Sequence, residues 1–253
     1  MVPGMTLAVF AFAYTFDIAN QAFSVAEDSI NKPNRPIPSG KMSVGGAYAR
    51  WLLSWLILPV AIYATAGPRA ATQLIFWEVW TFGFYVWPKC DNWIARNTFT
   101  AVGAVTQLGL LDAVIVHATP WSNIRDSLEW LLFFWLLVTI HVQEFHDMEG
   151  DKISGRQTLP LLMDPRSRFW LRVATAVVIA VTVMVNITFI NLTNNFEISC
   201  TLGLFHVASM SVLAVRLVML RTKEADKVTY KYYYTLATYI MLLFCSHSGA
   251  TTM

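Results

Sequence analysis

A chain of 253 residues that is 56% hydrophobic and only 13% charged, with a mean hydropathy of +0.49, is too apolar for an ordinary water-soluble domain and reads as an integral membrane protein. Its net charge of +2 comes without a basic run, so no nucleic-acid partner is expected, and the lipid bilayer is the first partner implied. Cys90, Cys200 and Cys245 have no paired spacing and lie in or beside apolar segments, which implies neither a disulfide framework nor a zinc site.

Crossing the hydrocarbon of a bilayer takes about 20 mostly apolar residues. Eight stretches qualify, near 2–22, 44–66, 69–88, 97–118, 127–148, 168–191, 198–220 and 229–248. Several carry Gly, Ser or Thr, which membrane helices use for close packing. The short alternating segments of a membrane barrel are not seen. The expected fold is therefore all-α, a polytopic membrane helix bundle forming a single domain over 1–253. The opening MVPGMTLAVFAFAYTF lacks a positive n-region and a small-residue cleavage site and runs straight into Asp17, so it reads as the first helix and not as a cleaved signal. Asn191 opens an NLT sequon, which is a glycosylation acceptor or an unused match in a short loop.

Lys and Arg set the orientation. The loops after the first, third, fifth and seventh stretches hold thirteen of them, and the other loops only Arg69 and Arg125. That bias places the first set on the cytoplasmic side.

Two acidic clusters open on that side, each running into a basic loop with Gly or Pro: Asn20 to Lys41 (NQAFSVAEDSINKPNRPIPSGK) and Gln143 to Pro160 (QEFHDMEGDKISGRQTLP). Residues four apart share a helix face. Asn20, Ser24 and Asp28 would therefore align if the helix continues that far, with Glu27 one position aside, and Gln143, Asp147 and Asp151 repeat the spacing. Carboxylate and amide oxygens so placed can hold Mg²⁺, which keeps several waters and prefers substrate phosphates to an all-protein cage. The loops add Lys32, Arg35, Lys41, Lys152 and Arg156, cations that neutralise phosphate oxygens. Pro33, Pro36 and Pro38 stiffen the first loop. Taken singly, either cluster is equally a solvated helix end; two with the same order of parts point to a site.

The stretches EDSINKPNRPIPSGKMS and DMEGDKISGRQTLPLL resemble the two signature regions of the UbiA superfamily of intramembrane prenyltransferases, most of all its fungal members. The resemblance extends over nearly the whole helical layout. It implies a bundle of usually nine helices whose central cavity binds an isoprenyl diphosphate, farnesyl or geranylgeranyl, through Mg²⁺ held by two aspartate-rich motifs. Carried over by position, Asn20 and Asp28 match the ends of the first motif, with Glu27 beside them, and Asp147 and Asp151 match the second. Asp28, Asp147 and Asp151 are the catalytic set it implies. Lys89 and Arg96 resemble the family's basic residues that approach the diphosphate, beside Lys32, Arg35, Lys152 and Arg156; as residues alone, Lys89 and Arg96 are equally positive-inside anchors.

Three departures stand out. Ser24 and Glu144 occupy positions where the family commonly has Asp. His146 stands where many relatives have Arg, as a ligand contact or as a helix-end histidine without special role. The family's first helix has no counterpart before the motif-bearing helix, which fits either a truncated gene model or an eight-helix form.

The chemistry implied is diphosphate departure and capture of the allylic cation in an apolar, aromatic chamber. The candidate rings include Trp77, Trp80, Phe82, Phe84, Tyr85, Phe133, Phe134 and Trp135, with no individual roles assigned. The altered first motif, NQxxSxxED, resembles the superfamily's terpene cyclases, so cyclisation is the outcome favoured, with prenyl transfer to an aromatic or other small acceptor as the alternative. A third reading, from a different class, is a non-catalytic transporter or lipid-binding protein, for which Asp112 and His117 are the only ionisable pair deep enough to suggest a relay, with His117 reading first as a polar helix end. The membrane expected is the endoplasmic reticulum or another endomembrane.

Overall fold

The computed structural model describes residues 2–87, 92–118, 125–189 and 196–249. The described residues are helical almost throughout. It divides into two compact units, Met1–Asn123 with Gly150–Gln157, and Ile124–Glu149 with Thr158–Met253.

The first unit holds α1 (Val2–Phe23), α2 (Val25–Asn31), α3 (Val44–Tyr85) and α4 (Trp93–Ala118). The buried stripe of α1 is mostly small: Ala8, Ala11, Phe12, Thr15, Ile18, Ala19 and Ala22. Small side chains let a neighbouring backbone approach closely, and α3 takes the place. Trp77 Nε1 donates to the Phe12 carbonyl at 3.0 Å, and the two rings stack 4.4 Å apart. On α4, a Cβ at Gly103 would sit 2.8 Å from the Trp77 ring, so glycine is what admits this tryptophan.

The helix α3 is capped by Ser43, whose side chain accepts from the Gly46 amide. It breaks at Gly67 (φ 80°, ψ 179°), followed at once by Pro68 at the first position of the second half. The rings of Trp55 and Phe82 lie 6.0 Å apart. A straight helix would separate those residues by about 40 Å, so the two halves fold back as a hairpin and are the two stretches expected at 44–66 and 69–88. Gly67 lies in a region that is essentially closed to other residues, and a Cβ there would come within 3.0 Å of His117 Nδ1. Gly67→Ala is expected to lower stability by about 1–3 kcal/mol, read as an earlier melting midpoint of the detergent-purified protein; an unchanged midpoint would overturn this account of the turn.

In the second unit, α5 (Arg125–Thr139) runs through a 3₁₀ turn, Ile140–Gln143, into α6 (Glu144–Ile153). Then come α7 (Pro165–Phe189), α8 (Phe196–Met219), α9 (Lys223–Val228), a π turn over Thr229–Tyr234 and α10 (Thr235–Gly249). A buried ion pair ties these elements: both Arg172 guanidinium nitrogens donate to Asp226 at 2.7 Å, one of them also to the Leu217 carbonyl at 3.1 Å. The guanidinium lies 3.8 Å from the Phe145 ring centre, so the same arginine stacks on α6.

Among the described residues, six helices are long and apolar enough to cross a membrane. One of them is the α3 hairpin, and α9, the π turn and α10 form a continuous helical run. The eight expected stretches are thus helical wherever described, except at Val86, Trp87 and Leu220.

Candidate active site

The first acidic cluster straddles the end of α1. The helix is interrupted at Ser24 (φ −118°, ψ 28°) and resumes in α2, yet Ser24 N bonds to the Asn20 carbonyl and Asp28 N to the Ser24 carbonyl, each at 2.9 Å. The i, i+4 relation expected for Asn20, Ser24 and Asp28 therefore survives a break that the sequence did not reveal. Ser24 Oγ donates to Asn20 Oδ1 at 3.3 Å, and the Tyr85 hydroxyl donates to the same oxygen at 2.9 Å.

The loop after α2 returns to the helix that precedes it. Gly40, with φ at 75°, supports its turn, and Ile37 is buried beneath it. Arg35 Nη1 reaches Asp28 Oδ1 at 2.9 Å and Oδ2 at 2.6 Å. Asp28 is only 1% exposed, and a carboxylate so buried needs such a partner.

The end of α6 and its following loop belong to the same unit and bring in part of the second cluster. Gly155 (φ 70°) turns the chain, and the Arg156 amide bonds to the Asp151 carbonyl at 3.0 Å. This aims the Arg156 side chain at both clusters. Its Nη1 meets Glu27 Oε2 at 2.5 Å and Asp151 Oδ1 at 3.1 Å, and its Nη2 donates to Ser24 Oγ at 3.2 Å. A parallel bridge between Gln157 and Asn92 ties the loop to the chain just before α4.

These residues frame a cavity of about 150 Å³. Glu27, Arg96 and Arg156 supply its charged wall, and Phe23, Phe84 and Tyr85 its aromatic wall. Burial pushes the Glu27 carboxyl above the usual carboxylate range, and the Arg156 charge limits that rise. Burial also works against the charged Arg156, but Glu27 and Asp151 outweigh it and hold the guanidinium more firmly protonated than usual.

Other sequence candidates lie elsewhere. Lys32 and Lys152 are exposed, and Lys89 lies outside the described residues. Asp147 belongs to the second unit, where its Oδ2 stands 3.5 Å from His146 Nε2 and the imidazole stacks on Tyr230 with ring centres 5.6 Å apart. Gln143 ends the 3₁₀ turn, so the expected helical stripe Gln143–Asp147–Asp151 is α-helical only from Glu144 onward. A 3₁₀ turn advances side chains by a third of a turn and rotates Gln143 away from an α register. Glu144 is buried and accepts from the Leu159 amide at 3.3 Å, where it fastens the following loop. The link from Tyr85 to Asn20 has no sequence signature, since it joins positions 65 apart.

Among the described residues, no three His, Cys, Asp or Glu side chains converge as a metal cage of their own. The donor chemistry nevertheless fits a divalent ion shared with a phosphate ligand. Asp151 Oδ2 is buried without a hydrogen-bond partner while its other oxygen holds Arg156, so one hard oxygen is left to coordinate.

The UbiA prenyltransferase family matches over residues 1–243. A diterpene cyclase of Hericium erinaceus is 31% identical over 94% of this chain and 73% of its own. A polyprenyl transferase of the same fungus is also 31% identical, over 92% of this chain and 76% of its own. A solved structure of digeranylgeranylglyceryl phosphate synthase in membranes superposes with a TM-score of 0.53 at 18% identity, covering 97% of this chain and 84% of that one, and shows a shared fold.

Proposed function

Because the chain belongs to the UbiA prenyltransferase family, whose relatives here are terpene cyclases and prenyltransferases, we propose that it ionises an isoprenyl diphosphate at the Arg156 cavity and cyclises the resulting cation. The observation that carries this reading is Arg156, which joins Glu27 and Ser24 of the first cluster to Asp151 of the second. A guanidinium fixed between carboxylates at the foot of an aromatic wall is placed for a diphosphate whose tail is apolar.

Within the first unit, Asn20, Glu27, Asp28 and Asp151 would hold Mg²⁺, with Ser24 as a further contact, and the ion would supply charge neutralisation on the leaving diphosphate. The protein's own share is positional. Arg156 and Arg35 are already immobilised by carboxylates, so they can turn to phosphate oxygens with little loss of side-chain freedom. Arg96 stands on the same cavity wall, and the exposed Lys32 and Lys152 extend the basic surface in this reading. Phe23, Phe84 and Tyr85 keep water from the carbon that loses the diphosphate and offer π faces to its positive charge. The mouth faces the cytoplasm, as the Lys and Arg bias supports, in the endoplasmic reticulum or another endomembrane.

Cyclisation is favoured by the resemblance of the NQxxSxxED motif to the superfamily's cyclases. Prenyl transfer to a small acceptor is the second reading, supported by the polyprenyl transferase match at the same identity. The transporter reading drops away with membership in an enzyme family. Purified protein given farnesyl or geranylgeranyl diphosphate and Mg²⁺, without acceptor, is expected to form a hydrocarbon. Product that forms only when an aromatic acceptor is added would sink the cyclase reading.

A further inference from the structure

The second half of α3 carries a carboxylate that none of the chemistry above uses. Glu78 is 2% exposed, and its Oε1 has no hydrogen-bond partner. Two hydroxyls share this condition: Thr81, one turn further along the same face, and Thr15 on α1 are both 0% exposed with unpartnered Oγ1 atoms. The register between the helices brings them to one level. Phe12 pairs with Trp77 and Asn20 with Tyr85 at the same separation of 65, so α1 and this half of α3 run parallel, and Thr15 falls level with position 80.

This polar group lies on the face that leads down from the cavity. Tyr85 lines the cavity, and Thr81 and Glu78 follow at four and seven residues before it, which places Glu78 about 10 Å deeper along the helix. The same stretch of α1, α3 and α4 carries an aromatic cluster: Trp77 stacks on Phe12 and lies 5.3 Å from Phe99, itself 5.7 Å from Phe16. An ionisable side chain in an apolar bundle, with an oxygen left unsatisfied, costs stability and is a functional group by default. A buried carboxylate oxygen without a hydrogen-bond partner, beside such a cluster, has few suitable ligands. A carbocation, which offers no hydrogen bonds but does offer an acidic C–H, is one of them.

We propose that Glu78 is the base that ends the reaction, taking the final proton from the cyclised cation. The diphosphate leaves C1 with the bonding electron pair; ring closure moves the positive charge along the chain. A C–H bond next to the last cationic carbon then gives its electron pair to form the product alkene, and its proton passes to a Glu78 oxygen. Thr81 and Thr15 orient that oxygen and receive a hydrogen bond when it is protonated. The assignment rests on the cyclase reading above.

The test compares the full-length protein with Glu78→Met and Glu78→Gln, in detergent with Mg²⁺ and the prenyl diphosphate that the wild type turns over. It measures hydrocarbon formed per diphosphate released, the identity of the products and the melting midpoint. The expected result is at least about a tenfold fall in hydrocarbon per diphosphate, with alcohols or less cyclised products in its place. The midpoint stays equal or rises, because an unsatisfied group has been removed, and Glu78→Asp recovers part of the hydrocarbon yield. An unchanged product pattern overturns the assignment, and so does a lowered midpoint with hydrocarbon and diphosphate falling in parallel, the behaviour of a structural residue. A wild type that releases no diphosphate would refute the underlying reading as well, which separates the two failures.

Discussion

Arg156→Ala is expected to reduce diphosphate release by about 10²–10³-fold, the cost of removing one preorganised donor to a developing anion. The loss follows from what the side chain touches. Three side chains meet at it, Glu27, Asp151 and Ser24, and its removal leaves two buried carboxylates facing each other without a cation. Breaking a buried charge pair by deleting one partner costs about 3–5 kcal/mol. Arg156 keeps 14% exposure, so the lower end applies. Activity and melting midpoint should therefore fall together. Arg156→Lys separates the contributions: the charge remains, so the midpoint recovers, but a point charge cannot bridge three partners as a fork does, and turnover stays low. Wild-type turnover in Arg156→Ala would remove the central residue of the proposed site.

The second large effect is expected at Asp151. The asparagine variant keeps the shape and can still accept from Arg156 through its amide oxygen, yet loses the charge and the oxygen that has no partner in the structure. Diphosphate release should drop by about 10²–10³-fold with little change in melting midpoint, and a higher Mg²⁺ concentration should be needed for what activity remains. Asp151→Ala should abolish release. Retained turnover in that alanine variant would count decisively against a metal-assisted diphosphate site.

Much of this organisation is legible in the sequence, for identifiable reasons. Spans are set by apolar length, which is a local property, so the stretches near 2–22 and 97–118 coincide with α1 and α4. The division of 44–88 into two spans rests on Gly67 and Pro68, residues whose backbone preferences are themselves local. The acidic residues and the arginines that serve them are near one another in sequence for Arg35 with Asp28. They are remote for Arg156 with Glu27, and only the fold shows that this arginine prefers both clusters at once. Gln143 fails for a local reason that spacing hides, since a 3₁₀ turn and an α-turn look alike in a run of apolar and polar letters. Glu78 escapes sequence reading because one acid among Trp77, Val79 and Trp80 has no periodic partner. Its significance comes from burial and from missing hydrogen bonds, which are properties of packing.

The pairing of Asp28 with Arg35, and of Glu27 and Asp151 with Arg156, has a consequence for how a ligand arrives. The resting site is close to electrically self-contained: three acids are met by Arg35 and Arg156, and Arg96 on the cavity wall brings the third positive charge. An incoming anion does not fall into a field of open positive charge. It must compete for each arginine, and a cation must compete for each carboxylate. Either one alone breaks an internal pair and strands its partner, whereas both arriving together exchange partners with no charge abandoned. On the proposed function, such mutual dependence would make uptake cooperative between metal and diphosphate, and it would discriminate against phosphates that come without their metal and against metals that come without their phosphate.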